Sequence, residues 1–127
     1  MSFQFDPSAT SVIVPVTLVG PLRTLEASLV LDTGAVQTLV AESLLAAIGY
    51  DHDRSPKTKS LITASGIVTA PEVVIENIET LGNSRKEFPV IAHSLPSSAG
   101  VDGLLGVDFF RGKCLTIDFG TGTVSLD

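Results

Sequence analysis

Tryptophan is absent from this chain of 127 residues, and cysteine, methionine and tyrosine occur once each. A lone Cys114 has no partner for an internal disulfide, so the fold must rest on burial, and Cys114 itself reads as a small apolar core residue. Charge is scarce too, at 17% of residues, and the 8 Lys and Arg against 14 Asp and Glu leave a net −6. The basic residues form no cluster, which argues against nucleic acid as a partner. Long apolar runs are missing: Val12 to Val19 is short and broken by Pro15. No segment has the length of a membrane span, and the start lacks the positive charge of a signal peptide. A soluble, cytoplasmic protein with no membrane partner is expected. The two histidines, His52 and His93, stand far apart without clustered ligands, so no metal and no cofactor are expected.

Hydrophobic residues make up 44% of the chain and the mean hydropathy is +0.41, which excludes disorder. The weight in Val, Ile, Leu, Thr and Gly, with 7 prolines, favours strands and turns over helix bundles. Residues 1–127 read as one domain, long enough to bury roughly two-thirds of its unfolded surface. Val12, Val14, Val16 and Leu18 share one face of a first strand, with Pro15 confined to an edge or a bulge. In the next strand Leu25, Ala27, Leu29 and Leu31 share a face, which turns Asp32 to the other side. Thr38-Leu39-Val40 returns as a short strand. Ala41 to Ile48 reads as a helix with Leu44 and Ile48 on one face and Gly49 ending it. Leu61 to Thr63 and Ile67 to Thr69 flank Ala64-Ser65-Gly66 as a hairpin. Further strands follow over Val73 to Leu81, with a turn at Gly82-Asn83, and over Phe88 to Ala92. A short helix covers Val107 to Phe110, and a hairpin over Gly120-Thr121-Gly122 closes the chain. The sum is a mostly β, closed or partly closed antiparallel barrel with two short helices.

Two apparent motifs fall away on inspection. Asp118-Phe119-Gly120 spells a kinase magnesium motif but sits in the terminal hairpin, where it is a turn. Gly106 to Lys113 is one residue too long for a phosphate loop and has Cys114 where Ser or Thr belongs.

The informative stretch is Leu29-Val30-Leu31-Asp32-Thr33-Gly34-Ala35, an apolar strand that delivers one carboxylate to a tight turn. No Lys, Arg or His lies between Thr24 and Tyr50 to neutralise Asp32. A carboxylate in such a place is costly unless something uses it or pairs with it. Two features follow in order: the glycine-tipped hairpin, and Leu104-Leu105-Gly106 leading into Val107-Asp108-Phe109-Phe110.

On these motifs the chain resembles the retropepsin-like aspartic proteases, the single-domain dimeric relatives of pepsin, and in its later part the bacterial members. The resemblance implies an aspartic endopeptidase in which Asp32 is catalytic and Thr33 steadies the two active-site loops across a dimer axis. It implies that Gly34 lines the substrate channel and that Ala35, Leu104 and Leu105 also contact substrate. Gly106 would pack beside the catalytic loop, and Ala64, Ser65 and Gly66 would form a flap. Because each chain carries one Asp-Thr-Gly, the implied enzyme is a homodimer acting on an extended peptide or protein substrate. Some viral members carry an Asp–Arg contact at positions that are Val36 and Val107 here, so dimer strength would have to come from apolar surface and terminal strands. A catalytically silent dimeric peptide-binding module of the same fold is the alternative; a purely structural β domain would make the three ordered motifs coincidental.

Overall fold

The structure, a computed structural model, describes residues 1–51, 57–63 and 66–127. The alternation read from the sequence sets the first two barrel strands. β2 (Ile13–Val19) and β3 (Thr24–Leu31) pair antiparallel from Ile13↔Val30 to Val19↔Thr24, and Val14, Val16, Leu18, Ala27, Leu29 and Leu31 are buried. A shorter β1 (Ser2–Gln4) precedes them. Pro15 sits where β2 has β3 on one side only: the second neighbour of β2 reaches just Thr17 to Val19, and the Thr80 hydroxyl donates to the Pro15 carbonyl at 2.8 Å. The ring placement of Pro15 therefore costs no ladder bond.

β4 (Leu39–Val40) leads into α1 (Glu42–Ile48), which ends at Gly49 with φ 113° and with the Gly49 amide donating back to the Ala46 carbonyl. The helix buries Leu45 and Ile48, with Leu44 half-buried beside them, so its core face is turned one residue from the expected Leu44–Ile48 line. β5 (Thr58–Thr63) and β6 (Gly66–Thr80) form the expected hairpin, in register from Thr58↔Pro71 to Thr63↔Gly66. β6 runs straight through Ala70-Pro71, because Pro71 stands where the strand hands over from β5 to β7 (Asn83–Ala92). The turn between β6 and β7 is Leu81-Gly82, both at positive φ, while Asn83 already pairs with Thr80. That pairing of backbone signs is the hairpin turn whose twist matches the flanking strands, which is why the turn falls one residue earlier than the Gly-Asn pair suggests.

β8 (Gly103–Leu105) then inserts between strands laid down much earlier, parallel to β3 and antiparallel to β4. The order β2-β3-β8-β4-β7-β6 closes on itself through β2–β6, giving the expected barrel with two parallel pairings, β3–β8 and β4–β7. β5 pairs with β6 alone, outside the closed ring. α2 (Val107–Phe110) plugs Phe109 and Phe110 into the core, where Phe109 meets Phe88 edge-on at 6.0 Å.

A separate sheet, β1-β10-β9, joins the two ends of the chain through β9 (Leu115–Asp118) and β10 (Thr123–Leu126). Asp118 ends β9 and braces the expected turn: its Oδ1 accepts the amides of Gly120 and Thr121. Cys114 is exposed, contrary to the core placement expected for it. Its main chain is held on both sides by Asp127, which leaves the thiol on the outer side, 4.0 Å from the Thr116 hydroxyl. Among the described residues no helix is long and apolar enough to cross a membrane.

Candidate active site

The geometry starts at the end of β3. The Asp32 amide donates to the Leu105 carbonyl at 2.9 Å, so the inserted strand β8 fixes the point where the chain leaves the barrel wall. The Gly34 amide then donates to Asp32 Oδ1 at 2.9 Å and the Ala35 amide to the Asp32 carbonyl at 3.1 Å, closing a tight turn around the carboxylate. A Cβ on Gly34 would stand 3.2 Å from that same Oδ1. Asp32 is half-buried, and Thr33 and Gly34 are exposed.

Beneath the turn lies a second carboxylate that the sequence did not single out. The Thr38 amide donates to Asp108 Oδ2 at 3.0 Å, and the Thr38 hydroxyl to Asp108 Oδ1 at 2.8 Å. The same hydroxyl accepts the Gly106 amide at 3.0 Å, and the Phe109 amide adds a further bond to Oδ1. Burial pushes the Asp108 carboxyl up from its ordinary value, and the donors from Thr38 and Phe109 pull against that shift. Gly106 is where the two segments touch: a Cβ there would lie 2.8 Å from the Ala35 carbonyl oxygen, and the Val107 amide donates to that oxygen at 2.9 Å. Gly106 thus packs against the Asp32 turn, through its backbone.

Asp32 opens onto a cleft of about 700 Å³. Gly34, Ala35 and Leu104 line it, together with Leu39 and Leu95. Lys59 and Ser60 of β5 also line it. His93 also lines this cleft; it follows β7, and its amide donates to the Val40 carbonyl. The hairpin is tied to the chain beyond the turn through Glu72, which accepts the Gln37 amide group at 2.9 Å and stands 3.8 Å from Lys59 Nζ.

Leu105 is fully buried; it meets the site through its carbonyl and not as a wall of the cleft. Gly66 begins β6 at φ 117° with open space where a Cβ would stand, and Thr33 is outside the cleft lining. Ala64, Ser65 and His52 lie outside the described residues. Among the described residues no three His, Cys, Asp or Glu side chains group to hold a metal. Leu39, Lys59, Ser60, His93 and Leu95 carry no local sequence signal for the cleft, because the closure of the barrel and the fold-back of the hairpin bring them there.

The aspartyl protease family profile matches residues 14–109. In overall shape the chain is similar to the crystal structure of a retropepsin-like aspartic protease from Rickettsia conorii, with a TM-score of 0.75 at 16% identity, over 99% of this chain and 88% of that one. A search of curated proteins found no match.

Proposed function

This chain belongs to the aspartyl protease family, in its retropepsin-like form, and on that premise we propose that it is an endopeptidase whose active site is completed by a second copy of itself. The observation that supports this reading is the Asp32-Thr33-Gly34 turn. It places one half-buried carboxylate on a cleft that β5 also lines and leaves Thr33 exposed. Peptide hydrolysis by carboxylates needs two of them, and a two-fold axis beside Thr33 supplies the second from the same motif.

Two facing carboxylates hold one proton between them, since like charges so close cannot both ionise; aspartic proteases are the standard case. The ionised Asp32 takes a proton from a water as that water attacks the peptide carbonyl carbon. The protonated Asp32 of the second copy donates to the carbonyl oxygen. As the C–N bond then breaks, the proton taken from the water passes from the first Asp32 to the departing amine, and the second carboxylate takes back the proton from the oxygen. Thr33 steadies the paired loops, Gly34 and Ala35 present backbone to an extended substrate, and Leu104 supplies an apolar wall. Ala64, Ser65 and Gly66 cover the bound chain. The apolar walls at Leu39, Leu95 and Leu104 favour apolar residues beside the bond that is cut.

The test is Asp32→Asn, assayed on a mixed peptide library with sedimentation run alongside. New peptide termini with the natural chain and none with the variant support the proposal. Cleavage at the natural rate by the variant would overturn it, as would a protein that stays monomeric while active. Binding of peptides without new termini would favour a silent peptide-binding module.

A further inference from the structure

The cleft at Asp32 does not end at Gln37. A second groove of about 600 Å³ begins there, sharing Val36 and Gln37 with the first and running between Asp108 on one side and Ser84, Arg85 and Lys86 of β7 on the other. Its charges are unequal in availability. Both Asp108 oxygens are taken up by Thr38 and Phe109, and Glu72 Oε2 by Gln37 and Lys59. Arg85 Nε donates to the Phe109 carbonyl at 2.9 Å, its terminal nitrogen donates to the Arg111 carbonyl, and its guanidinium lies 5.7 Å from the Phe109 ring centre. These partners are uncharged, as are those of Asp108, so both groups keep their charge; what differs is that the Asp108 oxygens already have their donors. Lys86 is exposed and, among the described residues, has no ion pair. Lys59, Arg85 and Lys86 line the two adjoining spaces with the acids Asp32, Glu72 and Asp108; Lys59 stands by Glu72, which leaves Lys86 as the exposed cation that an incoming acid can pair with.

We propose that the groove beside Arg85 and Lys86 is a distal substrate subsite that takes an acidic side chain of the extended peptide. This rests on the reading of the cleft as a peptide-binding site. A chain laid along Gly34 to Gln37 is delivered to the mouth of the second groove. Gly34 to Gln37 are four residues, and an extended chain laid beside them matches them about one for one, so the acid falls roughly three to five residues from the bond at Asp32. In a two-fold dimer each copy supplies one such groove, so an acid is selected on both sides of that bond.

The test uses peptides with an apolar centre, matched in pairs that differ only by Glu against Gln at positions three to five residues from the cut, on either side. The quantity read is the Glu-to-Gln ratio of kcat/KM, from which any general loss of activity cancels. A ratio of about two to five at one or more positions is expected, falling as salt rises and falling below one in Lys86→Glu. Equal cleavage of every pair would overturn the subsite and leave the peptidase reading standing. A ratio unchanged in both Lys86→Glu and Lys86→Gln would also overturn it. Should no peptide be cut, fluorescence anisotropy of the labelled peptides decides. Tighter binding of the Glu peptides, lost in Lys86→Glu, supports the subsite although hydrolysis fails, and equal or absent binding removes it.

Discussion

Thr38 and Asp108 hold each other at two points, amide to Oδ2 at 3.0 Å and hydroxyl to Oδ1 at 2.8 Å, across seventy positions of sequence. Because Thr38 Oγ1 also accepts the Gly106 amide, this one side chain joins the chain after the Asp32 turn to the β8–α2 junction. Thr38→Val keeps the shape and removes the hydroxyl. It leaves the buried Gly106 amide without its acceptor and removes one of the donors to Asp108, at a cost of about 1–3 kcal/mol. Urea unfolding measures this, and Thr38→Ser should recover most of the loss. Equal stability of the Val variant and the natural chain would show that the network contributes nothing.

The same pair sets a pH dependence. Burial raises the folded Asp108 carboxyl above the ordinary 3.8, so between that value and the folded pKa the native state binds more protons than the unfolded chain. Its contribution to stability is therefore complete below 3.8 and is lost as pH rises through the folded pKa. Asp6 and Asp118 act in the opposite sense and in a lower window. The Ser8 side chain holds Asp6 below 3.8 and the Thr121 amide does the same for Asp118, so their contributions are lost only as pH falls beneath that value. Unfolding free energies of the natural chain minus those of Asp108→Asn should fall as pH rises above 4. A flat or rising difference would contradict the burial argument.

Much of this was legible before any fold was known, because burial in a barrel wall writes a two-residue period. Val12 to Leu18 and Leu25 to Leu31 carry it plainly, and Gly49 marks the end of α1 by its handedness. The Asp-Thr-Gly turn declared itself by its missing counter-charge. What was hidden is non-local. β8 is three residues long and has no period of its own; its place between β3 and β4 depends on Gly103 fitting where no side chain can. β7 begins with the polar run Asn83 to Glu87, most of it at the surface, which resembles a loop until β6 pairs with it. Cys114 looked like core because free cysteines usually are, and only its main-chain bonds to Asp127 turn it outward.

Within the β6–β7 ladder one rung is missing. Ile75 pairs with Phe88 and Asn77 with Lys86, but the intervening Glu76 and Glu87 do not pair. The Glu76 amide donates to the Tyr50 hydroxyl at 2.8 Å instead, and Glu87 adopts φ 48°. A left-handed non-glycine residue costs about 1–2 kcal/mol, and glycine gives back part of this through its freedom when unfolded. Glu87→Gly should stabilise by about 0.5–1 kcal/mol, read as a higher melting temperature. Leu81 is the control: it has φ 53° but is buried, so Leu81→Gly should destabilise, since loss of a buried leucine outweighs the relief. A lower melting temperature for Glu87→Gly would sink the assignment of strain.

The tightest backbone approach in the barrel is at Gly103, where an added Cβ would lie 2.0 Å from the Leu39 carbonyl oxygen and 3.1 Å from Leu29 Cδ2. Neither neighbour can yield cheaply, since Leu39 is fixed in β4 between β7 and β8 and Leu29 is fully buried. Gly103→Ala must therefore push β8 out of the wall, at a cost of about 3 kcal/mol or more. Moving β8 also takes the Leu105 carbonyl from the Asp32 amide, so any peptidase activity should fall further than the loss of folded protein explains. Gly112→Ala separates crowding from backbone strain: that glycine has φ 77° but open space around it, so the variant should lose only about 1 kcal/mol and keep its activity. Guanidinium unfolding midpoints and peptide cleavage, measured on the same preparations, give both quantities. If Gly103→Ala matched Gly112→Ala in both, the insertion of β8 would not be what fixes the Asp32 turn.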